Sequence, residues 1–290
     1  MSTDFAVIGG DLRIVKLVEM LAKDGNKVNI YGLEEAEELK GINRSQVIFC
    51  ENLQQATQNA KIVIAPIPLT SDGKEVRTPF SKHKISIQDL LVNSYQKTVM
   101  AGSIKQEVYA LAREKEVELI DLMESEELAI LNAIATAEGA IEEAMKHTSK
   151  TIQGSKVLIL GFGRIGKVLA KKLQALSAEV TVAVRKQEDK AWIEAYGYKS
   201  TDIHRLQENL SQYDIIMNTV PHLILTTENL QYVDKDCLLI DLASKPGGID
   251  QRTVEERKLK FIWALALPGK VAPVSSAEYM KNTIYQRIKK

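Results

Sequence analysis

The densest chemical signal in the chain is Gly161-Phe162-Gly163-Arg164-Ile165-Gly166. Three glycines at this spacing carry chemistry only between a buried strand and an amphipathic helix. Here the apolar run Lys156-Val157-Leu158-Ile159-Leu160 precedes them, and Lys167-Val168-Leu169-Ala170-Lys171-Lys172-Leu173 follows with helical spacing. In that setting the first glycine permits a tight turn, the second lets backbone approach a pyrophosphate, and the third lets the helix close on the strand. The unpaired N–H groups and positive dipole at the helix start favour phosphate. Residues Gly161, Phe162, Gly163, Arg164, Ile165 and Gly166 are therefore expected to bind a dinucleotide.

The next strand, Val180-Thr181-Val182-Ala183-Val184, ends in Arg185-Lys186 with no acid following. An acid about 20 residues past the glycines would bond the free ribose 2′-hydroxyl of NAD, whereas Arg accommodates a 2′-phosphate. Arg185 and Lys186 thus predict NADP. Ligands of open α/β sheets bind outside the carboxyl ends of the strands, so the segments after later strands should line the same crevice. They supply Thr219, Val220, Pro221, Asp241, Leu242 and Ala243 as cofactor contacts, with His222 and Lys245 as the nearest titratable groups. Either of these two fits a general base or a carboxylate binder, and each also reads as an ordinary surface residue.

In the first half, Gly102-Ser103 follows a strand and precedes a helical pattern, where backbone N–H groups and a hydroxyl can cradle a carboxylate. Gly9-Gly10-Asp11 resembles a second glycine fingerprint but lacks the third glycine, and Asp11 would repel a pyrophosphate. It reads as a strand-to-helix turn with Asp11 capping Leu12–Lys23. Lys82, His83 and Lys84 read as solvated loop charges. No Ser/His/Asp triad and no His/Glu metal set emerges.

These residues need elements to hold them. Phe5–Ile8, Val28–Tyr31, Val47–Phe49, Lys61–Ile64, Thr98–Ala101 and Val117–Asp121 read as strands of one set. Lys156–Leu160, Val180–Val184, Asp214–Asn218, Leu238–Asp241 and Lys260–Trp263 read as strands of another. Strands alternating with helical patterns argue for βαβ units. The expected fold class is α/β: two doubly wound parallel-sheet domains, the second an NADP-binding Rossmann domain. Glu124–Thr148 is the longest helical pattern, with Leu128, Leu131, Ile134, Ala135, Ile141 and Ala144 as its apolar stripe. It reads as a connector between domains or as a core helix of the first. The expected domains are 1–150, carrying substrate and catalytic residues, and 151–274, carrying the cofactor.

Composition supports a globular chain. Its 290 residues are 45% hydrophobic with a formal net charge of zero, which excludes a disordered chain. No apolar run approaches the ~18 residues of a membrane span, and residues 1–5 lack a secretory leader pattern. Cys50 and Cys237 are isolated, which points to a reducing cytoplasm. Residues 1–150 carry 17 basic and 23 acidic side chains, a net of −6, and residues 151–290 carry 21 and 15, a net of +6. The second half is the better host for an anionic ligand. Its bases are dispersed and have no stacking aromatics among them, which argues against nucleic acid.

Along nearly its whole length the chain resembles the A subunit of bacterial dipicolinate synthase. The likeness rests on Gly9-Gly10-Asp11, Ile64-Ala65-Pro66-Ile67-Pro68, the helix segment Asn132–Ile141, and Leu158 through Gly166. Asp241-Leu242-Ala243-Ser244-Lys245-Pro246-Gly247-Gly248 and Leu267-Pro268-Gly269-Lys270-Val271-Ala272-Pro273 extend it. More distantly it is similar to D-2-hydroxyacid and alanine dehydrogenases, which implies that Ser275–Lys290 is a helix returning to the first domain. The resemblance implies oxidation of a dihydrodipicolinate-type ring to dipicolinate, a small dicarboxylate, in the cytoplasm of the mother cell of a sporulating bacterium. It also implies a partner, the flavoprotein-like B subunit of the same synthase, besides self-association. For that chemistry Gly102, Ser103 and Lys245 would contact carboxylates and His222 would take the proton. The alternatives are a two-domain dehydrogenase of another amino or 2-hydroxy acid, and a non-catalytic NADP-binding subunit.

Overall fold

The computed structural model describes residues 3–289; Met1, Ser2 and Lys290, on which parts of the leader and terminal-helix readings fall, lie outside them. The chain divides into two compact units, residues 1–131 with 272–290, and residues 132–271.

In the first unit, strands β1 (Thr3–Ile8), β2 (Val28–Tyr31), β3 (Val47–Phe49), β4 (Ala60–Ile64), β5 (Thr98–Ala101) and β6 (Glu118–Asp121) form a sheet in the order β3-β2-β1-β4-β5-β6. Every neighbouring pair is parallel. Helices α1 (Leu12–Lys23), α2 (Leu53–Thr57), α3 (Ile87–Val92) and α4 (Gln106–Glu114) connect the strands, and α5 (Glu126–His147) leaves the unit. Successive side chains of a strand point to opposite faces, and β1 uses both. Phe5 and Val7 join the core under α1, and Ala6 and Ile8 join the core on the other face. A sheet buried on both faces reads as continuous apolar runs, as these strands do.

Two local devices explain the strand ends. Asp11 caps α1, accepting the Arg13 N–H at 3.1 Å. Arg13, itself buried, returns a forked ion pair to Asp11 and donates to the Ile67 carbonyl. The loop after β4 then folds over the β1 turn, where Gly10 N–H donates to the Arg77 carbonyl at 2.8 Å. A Cβ on Gly9 would meet that same carbonyl oxygen at 2.8 Å. The donors that a dinucleotide would need at this turn are committed to the chain itself, so Gly9-Gly10-Asp11 is the structural turn its sequence suggests.

In the second unit, β7 (Lys156–Leu160), β8 (Glu179–Val184), β9 (Lys199–Asp202), β10 (Ile215–Asn218), β11 (Leu238–Asp241) and β12 (Lys260–Trp263) run parallel in the order β12-β11-β10-β7-β8-β9. Helices α6 (Arg164–Ala175), α7 (Gln187–Ala195), α8 (Thr227–Leu230), α9 (Gln251–Arg257) and α10 (Leu267–Val271) complete it with the later part of α5. Val157 and Ile159 pack to one face, and Leu158 and Leu160 to the other. β9, Lys-Ser-Thr-Asp in sequence, escapes the pattern of apolar runs because it is a polar strand at the sheet edge.

The last helix, α11 (Pro273–Ile288), belongs to the first unit, where Ala277, Met280 and Ile284 enter the core beside α1. Lys281 reaches Asp24 at 2.9 Å and the Tyr285 hydroxyl donates to the same carboxylate at 2.9 Å. The unit boundary falls at 131/132 inside α5 rather than at the expected 150/151. The reason is packing: Leu128 lies in the first unit's core, while Ala137, Ala140, Ile141 and Ala144 lie in the second's. One continuous helix thus serves both.

Candidate functional site

The glycine loop sits where β7 gives way to α6, beside β10, at the point where the strand order of the second sheet reverses. Gly161 has φ +95°, and a Cβ there would meet Val220 Cγ2 at 2.7 Å and Thr219 Oγ1 at 2.8 Å. A Cβ on Gly166 would lie 2.3 Å from the Gly161 carbonyl oxygen. Around Gly163 the situation is reversed: a Cβ would meet nothing within 4 Å. Gly163 also caps α6 without a side-chain hydrogen bond. Gly161 and Gly166 are therefore required by the chain's own packing, whereas Gly163 faces open space at a helix start. That combination fits the pyrophosphate of a dinucleotide.

The end of β10 is fastened to this loop. Thr219 donates to the Leu160 carbonyl twice, from N–H at 3.0 Å and from Oγ1 at 2.8 Å. Asn218, fully buried, donates from Nδ2 to the Val220 carbonyl at 2.9 Å and to Asp241 Oδ1 at 2.8 Å. Asp241 also accepts the N–H of Ala243 at 3.0 Å and of Gly248 at 2.7 Å. The segments after β10 and β11 are joined again where Ile224 and Leu225 N–H donate to the Gly248 carbonyl. His222 and Lys245 are thereby carried on adjoining loops, both exposed, Lys245 preceding a cis peptide bond to Pro246. Pro221 is exposed beside His222.

Several expected contacts are corrected by this geometry. The Asp241 side chain is 1% exposed with both oxygens engaged by its own loop, so it shapes the crevice instead of touching a cofactor. The side chains of Phe162, Leu242 and Ala243 are core residues, and Ile165 packs against the same core. Phe162, Leu242 and Ala243 can face a ligand only through their backbone, whereas the half-buried Ile165 keeps part of its side chain at the surface. Asn218 heads the strand-end segment expected to line the crevice, and its clamping role is what the sequence left unread; a polar amide ending an otherwise apolar strand implies a buried partner.

In the first unit the cradle expected at Gly102-Ser103 is already filled. Gly102 N–H donates to the Pro66 carbonyl, and the Ser103 and Ile104 N–H groups donate to the two oxygens of Asp121 at 3.0 and 2.8 Å. Asp121 takes the Met123 N–H as well, at 2.8 Å. Ser103 does not cap α4, which starts later, at Gln106. It is held at φ +54° with its side chain exposed, so only its hydroxyl remains available to a ligand.

At the end of β8, Arg185 and Lys186 are both exposed, and Lys186 pairs with Glu188 at 3.1 Å. A cavity of about 250 Å³ lined by Lys156, Thr181, Lys199 and Tyr213 opens at the opposite, amino-terminal end of the strands and is no part of this crevice. The thiols take no part either: burial pushes Cys237 up to about 12 and raises Cys50. Among the described residues no group of three or more His, Cys, Asp or Glu could hold a metal ion, and no helix is long and apolar enough to cross a membrane.

A doubly wound sheet with a glycine loop at its switch point defines a nicotinamide-dinucleotide-binding unit of the dehydrogenase type. Residues 122–245 match the NAD-binding domain of D-isomer specific 2-hydroxyacid dehydrogenases, and residues 4–123 match the N-terminal domain of the dipicolinate synthase A subunit. Over 284 residues the chain is 31% identical to the dipicolinate synthase A subunit of Bacillus subtilis (strain 168), covering 96% of this chain and 93% of that one. The chain belongs to the family of dipicolinate synthase A subunits. The crystal structure of the family's member from Bacillus halodurans superposes with a TM-score of 0.88 at 29% identity, covering 99% of this chain and 98% of that one. The transhydrogenase of Sinorhizobium meliloti, at 16% identity and TM-score 0.68 over 99% of this chain and 94% of that one, shares the fold alone.

Proposed function

We propose that this chain is the NADP-dependent subunit of a dipicolinate synthase, oxidising a dihydrodipicolinate-type ring to pyridine-2,6-dicarboxylate. The observation that carries the reading is the glycine loop, whose one open glycine, Gly163, lies at a helix start in a chain of this family. Bound NADP⁺ would supply a two-electron acceptor at nicotinamide C4. The substrate loses a hydride from one ring carbon and a proton from its neighbour, and the electron pair left behind completes the aromatic ring. NADPH and one proton are the other products.

The chain's own residues supply the rest. His222 accepts the proton. The Lys245 ammonium serves as a carboxylate contact, and a charged hydrogen bond of this kind is worth about 1.5–3 kcal/mol. Arg185, with Lys186, meets the 2′-phosphate, Arg by paired N–H donors. The chain would act in the cytoplasm of the mother cell of a sporulating bacterium, with the flavoprotein-like B subunit. A second reading, a nicotinamide-binding subunit whose redox chemistry resides in a partner, is favoured by the exposure of both His222 and Lys245.

The test follows formation of the reduced cofactor with dihydrodipicolinate, using the full chain by itself and then together with the B subunit. We expect little turnover from the isolated chain and a marked gain with the partner. Turnover that vanishes in His222→Ala while cofactor binding persists supports the first reading, and turnover unaffected by that change overturns the role of His222. Binding of NADP and NAD at one fixed salt concentration tests the cofactor. NADP should bind on the order of 30-fold more tightly, from two cationic contacts of ~1 kcal/mol each. Arg185→Asp should reverse the order, by adding repulsion as well as deleting an attraction. Equal wild-type affinities would sink the NADP assignment.

A further inference from the structure

The strand beside β8 ends on an acid. Val184 and Asp202 are partners in the parallel register of β8 and β9, and the Ile203 N–H continues the ladder by donating to the Val184 carbonyl at 3.2 Å. Neighbouring strands lie only ~4.8 Å apart, so Asp202 stands at the same sheet edge as Arg185, although 17 residues separate them in sequence. One of its oxygens accepts the His204 N–H at 2.9 Å. The other takes Lys190 Nζ at 3.3 Å. Lys190 is half-buried on α7, one helical turn after Lys186. Glu188 and Asp189 share the start of α7, and Glu188 is occupied by Lys186.

We infer that Lys190 and Asp202 form an exchangeable charge pair that sets how the second unit discriminates an adenosine ribose bearing a 2′-phosphate from one bearing a free 2′-hydroxyl. The inference rests on the dinucleotide reading of the glycine loop. A charged N–H···O contact is at its best near 2.7–2.9 Å, so at 3.3 Å the Lys190–Asp202 bond is a loose one. A Lys ammonium is a point charge on a flexible stem and can turn between acceptors. A phosphomonoester carries nearly two negative charges near neutral pH and competes for Lys190 better than one carboxylate does. With the 2′-phosphate present, Lys190 turns from Asp202 to the phosphate beside Arg185 and Lys186. With a 2′-hydroxyl, Lys190 stays on Asp202, whose carboxylate is the acceptor for that hydroxyl. The pair thus lets one site accept either ribose, biased by how firmly Asp202 holds Lys190.

The experiment measures binding of adenosine 2′,5′-bisphosphate and of AMP to the full chain by calorimetry at one salt concentration, so that no catalytic step enters. The variants are Asp202→Asn, which keeps an oxygen for the His204 N–H, and Lys190→Gln, an independent perturbation on a different element. Asp202→Asn should raise the bisphosphate-to-AMP affinity ratio about fivefold and Lys190→Gln should lower it about fivefold, in line with a partly exposed ion pair. The double variant should depart from the sum of the two, as groups in contact do. Variants that bind the two probes in the wild-type ratio overturn the pair's role while leaving the dinucleotide reading standing. A wild-type chain that binds neither probe overturns both.

Discussion

Replacing Gly163 by Ala isolates the one glycine of the loop that the chain does not need for its own packing. The added methyl meets no atom within 4 Å, and the residue lies at φ −77°, ψ −163°, extended backbone open to any L-residue. Two small effects on stability oppose each other. Ala is a poorer helix cap than Gly by about 0.5–1 kcal/mol, while the less flexible unfolded chain recovers about 0.4–1 kcal/mol. The melting transition should therefore move little, with a net change of ~0.5 kcal/mol or less. Binding should respond differently. A methyl where the pyrophosphate approaches displaces it from at least one backbone donor, and a hydrogen bond to a charged group is worth about 1.5–3 kcal/mol. The dissociation constant for NADP, measured by calorimetry, should rise on the order of 10- to 150-fold. Gly166→Ala makes the comparison sharp. There the methyl would lie 2.3 Å from the Gly161 carbonyl oxygen, so overpacking of about 1–3 kcal/mol opposes the ~1 kcal/mol that Ala gains in a helix. That variant should lose both stability and affinity. A Gly163→Ala protein that binds the dinucleotide as tightly as wild type would refute the placement of the pyrophosphate at this loop.

Asp241→Ala leaves one of the two Asn218 amide hydrogens and the Ala243 and Gly248 N–H groups without their acceptor, and urea denaturation should record a loss of about 3 kcal/mol or more; a loss under about 1 kcal/mol would show the loop to be held by other means. The Lys281 ammonium, and the Tyr285 hydroxyl after it, hold the Asp24 carboxyl below the ordinary carboxylate range. Its contribution, about 1 kcal/mol for a partly exposed pair, should be complete above the unfolded pKa of ~3.9 and fade as pH falls through the lower folded value. The stability difference between wild type and Asp24→Asn should accordingly be flat from about pH 5 to 7 and shrink below about pH 4; a difference unchanged at about pH 2 would contradict it. Cys237, pushed up to about 12 chiefly by burial, should resist alkylation at about pH 8 until the chain unfolds, and rapid labelling of the native protein would show that its burial is not maintained.

Much of the architecture is legible in single segments because the forces that form them are local. Apolar runs such as Val157–Leu160 must be strands buried on both faces, and the observed sheets contain all eleven strands those runs suggest. Asp11 announces the start of α1, because a short carboxylate beside free N–H groups has little else to do. The glycine loop is equally plain, since only glycine satisfies a positive φ at 161 and the close helix approach at 166. What stayed hidden depends on neighbours distant in sequence. β9 carries no apolar run, because its side chains stay exposed or half-exposed instead of being covered by a helix layer. Whether a polar residue at a strand end faces a ligand or its own chain cannot be read from its type. Asp241 looks like a ligand contact and is a clamp, as is Asp121, because folding brings three N–H groups to each. Asp202 looks unrelated to Arg185 and stands beside it through the register of two strands. The elements and the dinucleotide loop are written in the chain because residues a few places apart dictate their conformation. Which polar groups are already spoken for emerges with the assembled fold, because a hydrogen-bond donor or acceptor is available to a ligand only when no distant part of the chain has reached it first.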